Sequence, residues 1–333
     1  MQKKRVTGSG GKTTIGITMG DPFGIGPEII LKALFCSEIQ SICSFVIYGD
    51  ADILNEAKKL TGIKNELKII SVTNLDKNDL SIGSPSAEGG RASILYIREA
   101  VKHALEGTID AIVTAPISKE SIHLAGSTYP GHTEMLKDLT GARNVAMLFE
   151  GGEFRVVLVT IHCALSEVPK LITQDRVFNA IELTHNSLVE LFNIRGPKIV
   201  VCGLNPHAGE SGIFGNEETE HIIPAVRRAT DLGIDVTGPL PADTIFYRAR
   251  KGIWDAVISM YHDQGLIPFK MLSFDYGVNV TLGLPIIRTS PDHGTAFDIA
   301  WEGKANPSSM IAAIKVAARL ARNRVPSGKS WKD

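Results

Sequence analysis

Short apolar runs that stop at a polar turn recur along this chain and alternate with longer segments of helical spacing. Thr14-Ile-Gly-Ile-Thr-Met, Ser44-Phe-Val-Ile-Tyr, Leu67-Lys-Ile-Ile-Ser-Val and Ala111-Ile-Val-Thr read as strands, and Ala92 to Leu105 as a helix. The rhythm continues through Arg155–Ile161, a helix near Thr173 to Phe192, Ile199–Cys202, a helix near Thr219 to Leu232, and Ala256–Tyr261. Alternating strands and helices predict an α/β fold around a largely parallel sheet. With 333 residues the chain exceeds a usual single core, so two α/β/α domains with a cleft between them are expected. No low-complexity linker marks their boundaries. Polar turns place them so that residues 1–128 plus 281–333 form one unit and 129–280 the other.

Three of the runs end at a histidine: His162 after Arg155–Ile161, His207 after Ile199-Val-Val-Cys-Gly-Leu-Asn-Pro, and His262 after Ala256–Tyr261. Open α/β sheets build ligand sites at the carboxyl ends of their strands. Three imidazoles in that position suggest one divalent metal ion with open coordination positions. Imidazole ligands suit zinc, cobalt or nickel, and magnesium fits if the histidines act partly through water.

Composition narrows the function. Hydrophobic residues make up 44% and charged residues 21%, an ordinary globular balance, and the formal net charge of -1 leaves no electrostatic footprint for nucleic acid. Cys36, Cys43, Cys163 and Cys202 form no Cys-x-x-Cys pair, which points to a reducing, cytoplasmic setting. No run approaches the roughly 18 apolar residues of a membrane span, and no signal core follows the basic N-terminus. Gly11-Lys12-Thr13 imitates a phosphate loop, but the required first glycine falls at Val6 and no strand precedes it, so Thr7-Gly-Ser-Gly-Gly reads as a flexible tail.

Further polar groups sit where strands end. Pro27 and Glu28, after Gly20-Asp-Pro-Phe-Gly-Ile-Gly26, suit the first turn of a helix. The third glycine of a Rossmann fingerprint is replaced by Ile29, so a dinucleotide must bind in another way. His132 and Thr133 open a helical stretch, as anion ligands or as simple caps. Lys270 is either a phosphate or carboxylate clamp, a proton-transfer group, or a surface lysine. Asn279 and Arg288 flank Val280-Thr-Leu-Gly-Leu-Pro-Ile-Ile, and a bidentate arginine is a natural phosphate partner. Asp243, after two prolines, is a candidate base or supporting carboxylate, or a turn cap.

These residues lie in stretches that resemble the 4-hydroxythreonine-4-phosphate dehydrogenases of vitamin B6 biosynthesis. The stretches are Thr18-Met-Gly-Asp-Pro-Phe-Gly-Ile-Gly-Pro-Glu28, Tyr129-Pro-Gly-His-Thr-Glu134, Cys202-Gly-Leu-Asn-Pro-His-Ala-Gly-Glu210, Gly238-Pro-Leu-Pro-Ala-Asp-Thr244, Met260-Tyr-His-Asp-Gln-Gly265, Gly277-Val-Asn-Val-Thr-Leu-Gly-Leu-Pro285 and Arg288-Thr-Ser-Pro-Asp-His-Gly-Thr-Ala296. They run from about residue 14 to the end of the chain, and several long motifs in order are far more specific than one. The resemblance implies that His162, His207 and His262 ligate the metal, with ligands drawn from both subunits of a homodimer. It implies that His132, Thr133, Lys270, Asn279 and Arg288 bind the phosphorylated substrate. It further implies oxidation of the C3 hydroxyl by NAD or NADP, giving a β-keto acid that decarboxylates to 3-amino-2-oxopropyl phosphate.

Asp292 to Pro307 is similar to the cofactor loop of isopropylmalate and isocitrate dehydrogenases, two-domain enzymes that also lack a Rossmann fingerprint. That similarity implies that His293, Gly294, Thr295, Ala296 and Asn306 contact the adenosine half of the dinucleotide. Members of the same superfamily oxidise 4-phospho-D-threonate or 4-phospho-D-erythronate with the same ligands, and no residue of this sequence decides between the substrates. Other classes stay open on the residues alone: a metal-dependent hydrolase or aldolase, or a phosphosugar sensor.

Overall fold

One 11-stranded sheet, in the order β3-β2-β1-β4-β11-β10-β5-β6-β9-β7-β8, runs through the structure. The computed structural model describes residues 12–76, 81–152 and 154–324. In chain order its elements are β1 (Thr13–Thr18), α1 (Gly26–Leu34), α2 (Ser37–Ile42), β2 (Cys43–Asp50), α3 (Ala51–Thr61), β3 (Ile69–Thr73), α4 (Ala87–Leu105), β4 (Ala111–Thr114), α5 (Lys119–Leu124) and α6 (His132–Thr140). They continue with β5 (Ala146–Gly151), β6 (Phe154–Leu158), α7 (Val168–Leu171), α8 (Gln174–Glu190), β7 (Ile199–Cys202), α9 (Ile223–Asp231), β8 (Val236–Leu240), α10 (Ala242–Ala249), β9 (Ala256–Ser259), α11 (His262–Ser273), β10 (Val278–Leu282), β11 (Arg288–Pro291) and α12 (Ser308–Asn323).

The sheet has two parallel wings joined by an antiparallel centre. β3, β2, β1, β4 and β11 are parallel neighbours, as are β6, β9, β7 and β8, while β11, β10, β5 and β6 pair antiparallel. Strands β4, β7 and β9 are buried along their whole length, as expected where helices cover both faces. The helices begin where the sequence offers caps: the carboxylate of Asp50 accepts from Asp52 N and Ile53 N, and Ser86 accepts from Gly89 N. The expected α/β class therefore holds. The boundary placed at residue 280 falls inside β10, so the two expected units share a continuous sheet.

A second apolar cluster under the antiparallel centre fixes α11. The ring of Phe269, fully buried, lies 5.8 Å from that of Phe149 and 6.1 Å from that of Phe154. A Cβ on Gly265 would lie 2.8 Å from both Leu158 and Val156, so only glycine lets this helix rest directly on β6. Two local expectations change. Ala256–Tyr261 leaves the sheet at Ser259, and His262 is the first residue of α11. Gly238-Pro-Leu, read as a turn, is part of β8 at the sheet edge, where a proline's missing N–H is tolerated. The tail Thr7–Gly11 lies outside the described residues, while Lys12 donates to the Gln40 carbonyl and Thr13 opens β1, as a structural segment rather than a phosphate loop.

Candidate active site

A cavity of about 360 Å³ opens where β4, β10, β11 and the N-terminus of α6 converge. Arg288 lies at its buried wall, 3% exposed, at the start of β11. Its guanidinium donates to Thr114 Oγ1 from Nη2 at 2.7 Å and from Nε at 3.2 Å, and to Thr281 Oγ1 from Nη1 at 3.0 Å. No carboxylate pairs with it among the described residues. Burial alone pulls its pKa down to about 9, because a guanidinium removed from water without a counter-ion is disfavoured. The protein thus carries a buried cation whose natural partner is an anionic ligand.

Other side chains around that cation are equally unfinished. His132 Nε2, Thr133 Oγ1 and Asn279 Oδ1 are buried without a hydrogen-bond partner, and all three residues line the cavity. Burial, then the charge of Arg288, holds the His132 imidazole well below its ordinary pKa, so it is neutral. His132 and Thr133 are the first residues of α6, which follows Gly131 and has no side-chain cap, so its first N–H groups remain available to an anion. Sequence reading placed the substrate residues His132, Thr133, Lys270, Asn279 and Arg288 in widely separated segments. All five line this one cavity.

His162 and His262 stand on the same rim, their ring centroids 5.9 Å apart. Burial, with Lys119 and His262 nearby, lowers the His162 pKa and favours the neutral imidazole that a metal needs. His262 Nδ1 is 2.7 Å from Asp263 Oδ1, which orients the ring and leaves Nε2 as the nitrogen that could meet a metal. Lys270 Nζ lies 3.5 Å from Asp292 Oδ2; burial raises the Asp292 pKa while Lys270 lowers it. Lys119, Glu134, Ser290 and Asp292 also line the cavity, and sequence reading gave none of them a role. Thr114, the residue that holds Arg288, was missed as well. A strand-terminal threonine carries no signal until its arginine partner, 174 residues away, is placed beside it.

His207 and Asp243 stand apart from this cavity. His207 is 67% exposed and begins a run from His207 to Ser211 in which every φ is positive. Such a left-handed turn is costly for non-glycine residues, and a buried carboxylate braces it. Glu218, 2% exposed, accepts from Leu204 N at 2.7 Å, Asn205 N at 2.8 Å and Asn205 Nδ2 at 2.9 Å, and packs against Gly209. Gln264 links the two histidine segments, donating to the Gly203 carbonyl and accepting from Met260 N. Asp243, exposed, lies in the first turn of α10. Among the described residues of one chain, no three His, Cys, Asp or Glu side chains gather as a metal site. Of the three expected ligands, the chain itself brings together His162 and His262, two imidazoles that could hold a metal.

The expected cofactor loop forms one wall. Asp292, His293 and Gly294 line the cavity, and the loop leaves it through Thr295, the left-handed Ala296 and a short 3-10 turn at Phe297–Ile299 before Asn306 Oδ1 accepts from the N–H and the hydroxyl of Ser308, the first residue of α12. A Cβ on Gly294 would meet nothing within 4 Å. An exposed imidazole, a hydroxyl, an amide and open backbone together offer hydrogen-bonding groups of the kind a nucleoside can use.

The profile of the family described as pyridoxal phosphate biosynthetic protein PdxA matches residues 41–317. A 4-hydroxythreonine-4-phosphate dehydrogenase of Geobacter metallireducens is 48% identical over 336 residues, covering 95% of this chain and 98% of that protein. A D-threonate 4-phosphate dehydrogenase of Cupriavidus necator is 45% identical, covering 93% and 98%. Among solved structures, 4-hydroxythreonine-4-phosphate dehydrogenase from Klebsiella pneumoniae superposes with a TM-score of 0.84 at 41% identity, covering 93% of this chain and all of that one. On sequence and on fold alike, this chain belongs to the PdxA family.

Proposed function

We propose that this protein is an NAD(P)-linked dehydrogenase that oxidises 4-hydroxythreonine 4-phosphate in pyridoxal phosphate biosynthesis. The observation that carries the reading is Arg288: a buried guanidinium without a carboxylate, ringed by unpartnered atoms of His132, Thr133 and Asn279, is an anion site awaiting a phosphate. With the phosphate held there, the rest of the substrate extends toward His162, His262 and Lys270, which line the same cavity. His162 and His262 would hold a divalent metal, with His207 of the partner subunit as the third ligand. Such a metal would lower the pKa of a coordinated hydroxyl, and a bound dinucleotide would supply the hydride acceptor. Lys270, beside Asp292, is the proton-transfer group next to the reacting hydroxyl. The β-keto acid so formed loses carbon dioxide.

Exposed apolar surface favours the homodimer. Ile267, Met271 and Phe274 form one stripe on α11 and the residue after it, 58%, 82% and 76% exposed, while Ile213 and Phe214 stand exposed beside the His207 turn. Cys36, Cys43, Cys163 and Cys202 are free thiols, in keeping with a cytoplasmic setting, and no described helix is long and apolar enough to cross a membrane. The 45% identity to a D-threonate 4-phosphate dehydrogenase supports a second reading with the same site and a sugar-acid substrate.

Dinucleotide reduction is the test, measured with metal-reconstituted protein, a chelator control, and three substrates in parallel: 4-hydroxythreonine 4-phosphate, 4-phospho-D-threonate and 4-phospho-D-erythronate. Chelator-sensitive turnover of the first alone is the expected result. Preference for either sugar acid selects the second reading, and no reduction with any of them overturns both.

A further inference from the structure

The stretch Met19 to Leu31 contains the first signature of the chain, yet it is buried throughout and none of it lines the active-site cavity. While Asp21 accepts from Phe23 N, Glu28 and several backbone groups of the stretch turn to the loop between Asp292 and Asn306. Glu28, 2% exposed, accepts from Ala305 N at 2.8 Å and from Gly303 N at 3.2 Å. Lys32, one helical turn later, donates to Glu28 Oε1 at 2.6 Å and to the carbonyls of Gly303 and Ala305, each at 2.8 Å. Trp301 Nε1 donates to the Pro22 carbonyl, Ile25 N donates to the Thr295 carbonyl, and a Cβ on Gly24 would lie 2.9 Å from Thr295 O.

The loop needs this support. Beyond its three-residue 3-10 turn it has no regular structure, and Ala296 and Trp301 are held at positive φ, at 41° and 64°. Left-handed non-glycine residues persist only where their surroundings over-determine them. Glu28 and Lys32 contribute to that constraint, with two acceptor contacts and two donor contacts to the same pair of loop residues, and they pair with each other at 2.6 Å.

We propose that Glu28 and Lys32 are positioning residues for the dinucleotide, acting on it only through the Asp292–Asn306 loop that they clamp. The proposal rests on the reading that this loop takes the adenosine half of the cofactor. In mechanistic consequence, the first signature sets cofactor affinity, whereas the cavity residues set substrate affinity.

Binding of NADH to the full-length protein, followed by calorimetry with and without metal, tests this. In Glu28→Gln the Kd for NADH is expected to rise about tenfold, because a released loop must be re-ordered at each binding event. KM for the dinucleotide rises in parallel, while kcat at saturating dinucleotide and the affinity for inorganic phosphate stay within about twofold. Lys32→Met, which keeps both Glu28 acceptor contacts and removes a partly exposed side chain, is a milder variant expected to raise the same Kd about threefold. An NADH Kd unchanged in both variants overturns the clamp, as does a parallel loss of phosphate affinity, which signals general damage. Asn306→Ala and His293→Ala separate the two layers. If they weaken NADH binding and the clamp variants do not, only the clamp fails. If wild-type protein binds NADH and neither substitution matters, the loop reading fails and the clamp with it.

Discussion

Replacing Arg288 with methionine is expected to make the ligand-free protein more stable and the enzyme useless. The guanidinium is 3% exposed, hydrogen-bonded to two threonine hydroxyls and to no carboxylate, and burial pulls its pKa to about 9. Measured from the ordinary arginine value, at 1.36 kcal/mol per pH unit, that depression corresponds to about 5 kcal/mol of unfavourable charge burial at neutral pH. The direction is clear from proton binding: above about pH 9 the unfolded state holds the proton more firmly, so stability rises with pH there and the full penalty stands below it. Methionine fills most of the same volume without the charge. It leaves the hydroxyls of Thr114 and Thr281 without their donor, at about 1 kcal/mol each. A net gain of about 3 kcal/mol in phosphate-free buffer follows, read from denaturant unfolding at pH 7. Phosphate at a hundred times its Kd adds about 2.7 kcal/mol to the parent and nothing to Arg288→Met. Loss of a buried charge partner for the substrate phosphate, about 2–5 kcal/mol, lowers kcat/KM by about thirtyfold to several thousandfold. A variant less stable than the parent without phosphate, yet still stabilised by it, refutes the reasoning.

The neutral, half-buried His132 must gain a proton on unfolding below its ordinary pKa of 6.5, so stability is full above that pH and declines as pH falls through it; in His132→Gln this slope between pH 6.5 and 5 is expected to diminish in denaturant titrations, and an unaltered slope rejects the assignment. Phe269→Ala is expected to cost about 3–5 kcal/mol, because the ring fills the space between Phe149 and Phe154 beneath the helix that bears Lys270; a loss under about 1 kcal/mol contradicts that packing. Met271→Glu combined with Phe274→Glu is expected to yield a monomer in sedimentation velocity that still binds inorganic phosphate but has lost turnover, and an active monomer would falsify the shared site.

The rhythm of strands and helices was legible because parallel strands buried on both faces must be apolar throughout, as Ala111–Thr114 and Ile199–Cys202 are. The antiparallel centre was not. β11 reads Arg-Thr-Ser-Pro, four buried residues without a hydrophobic side chain among the first three, and nothing local marks it as a strand. Its burial follows from the partners of Arg288 and Thr289, and those lie on β4, β10 and α12. The five substrate residues were visible as polar groups at strand and helix ends, and the fold gathers them. Glu28 was read only as a favourable charge in the first turn of α1. Its clamp on a loop some 275 residues away is a fact of tertiary structure that no window of sequence contains.

The order of the strands sets the order in which this protein can be born. β4 pairs with β1 on one edge and with β11 on the other, and α12 packs on β1, β4 and β11 together. Thr114 emerges from the ribosome 174 residues before Arg288. At about 5–20 residues per second the early strands therefore wait about 9–35 s for the segment that covers them. During that interval one edge of β4 is unpaired and the apolar faces destined for α12 are bare, a template for association with other nascent chains. Production of this enzyme is thus most sensitive to chaperone supply and to translation speed between those two points, and least to either once α12 has closed the wing.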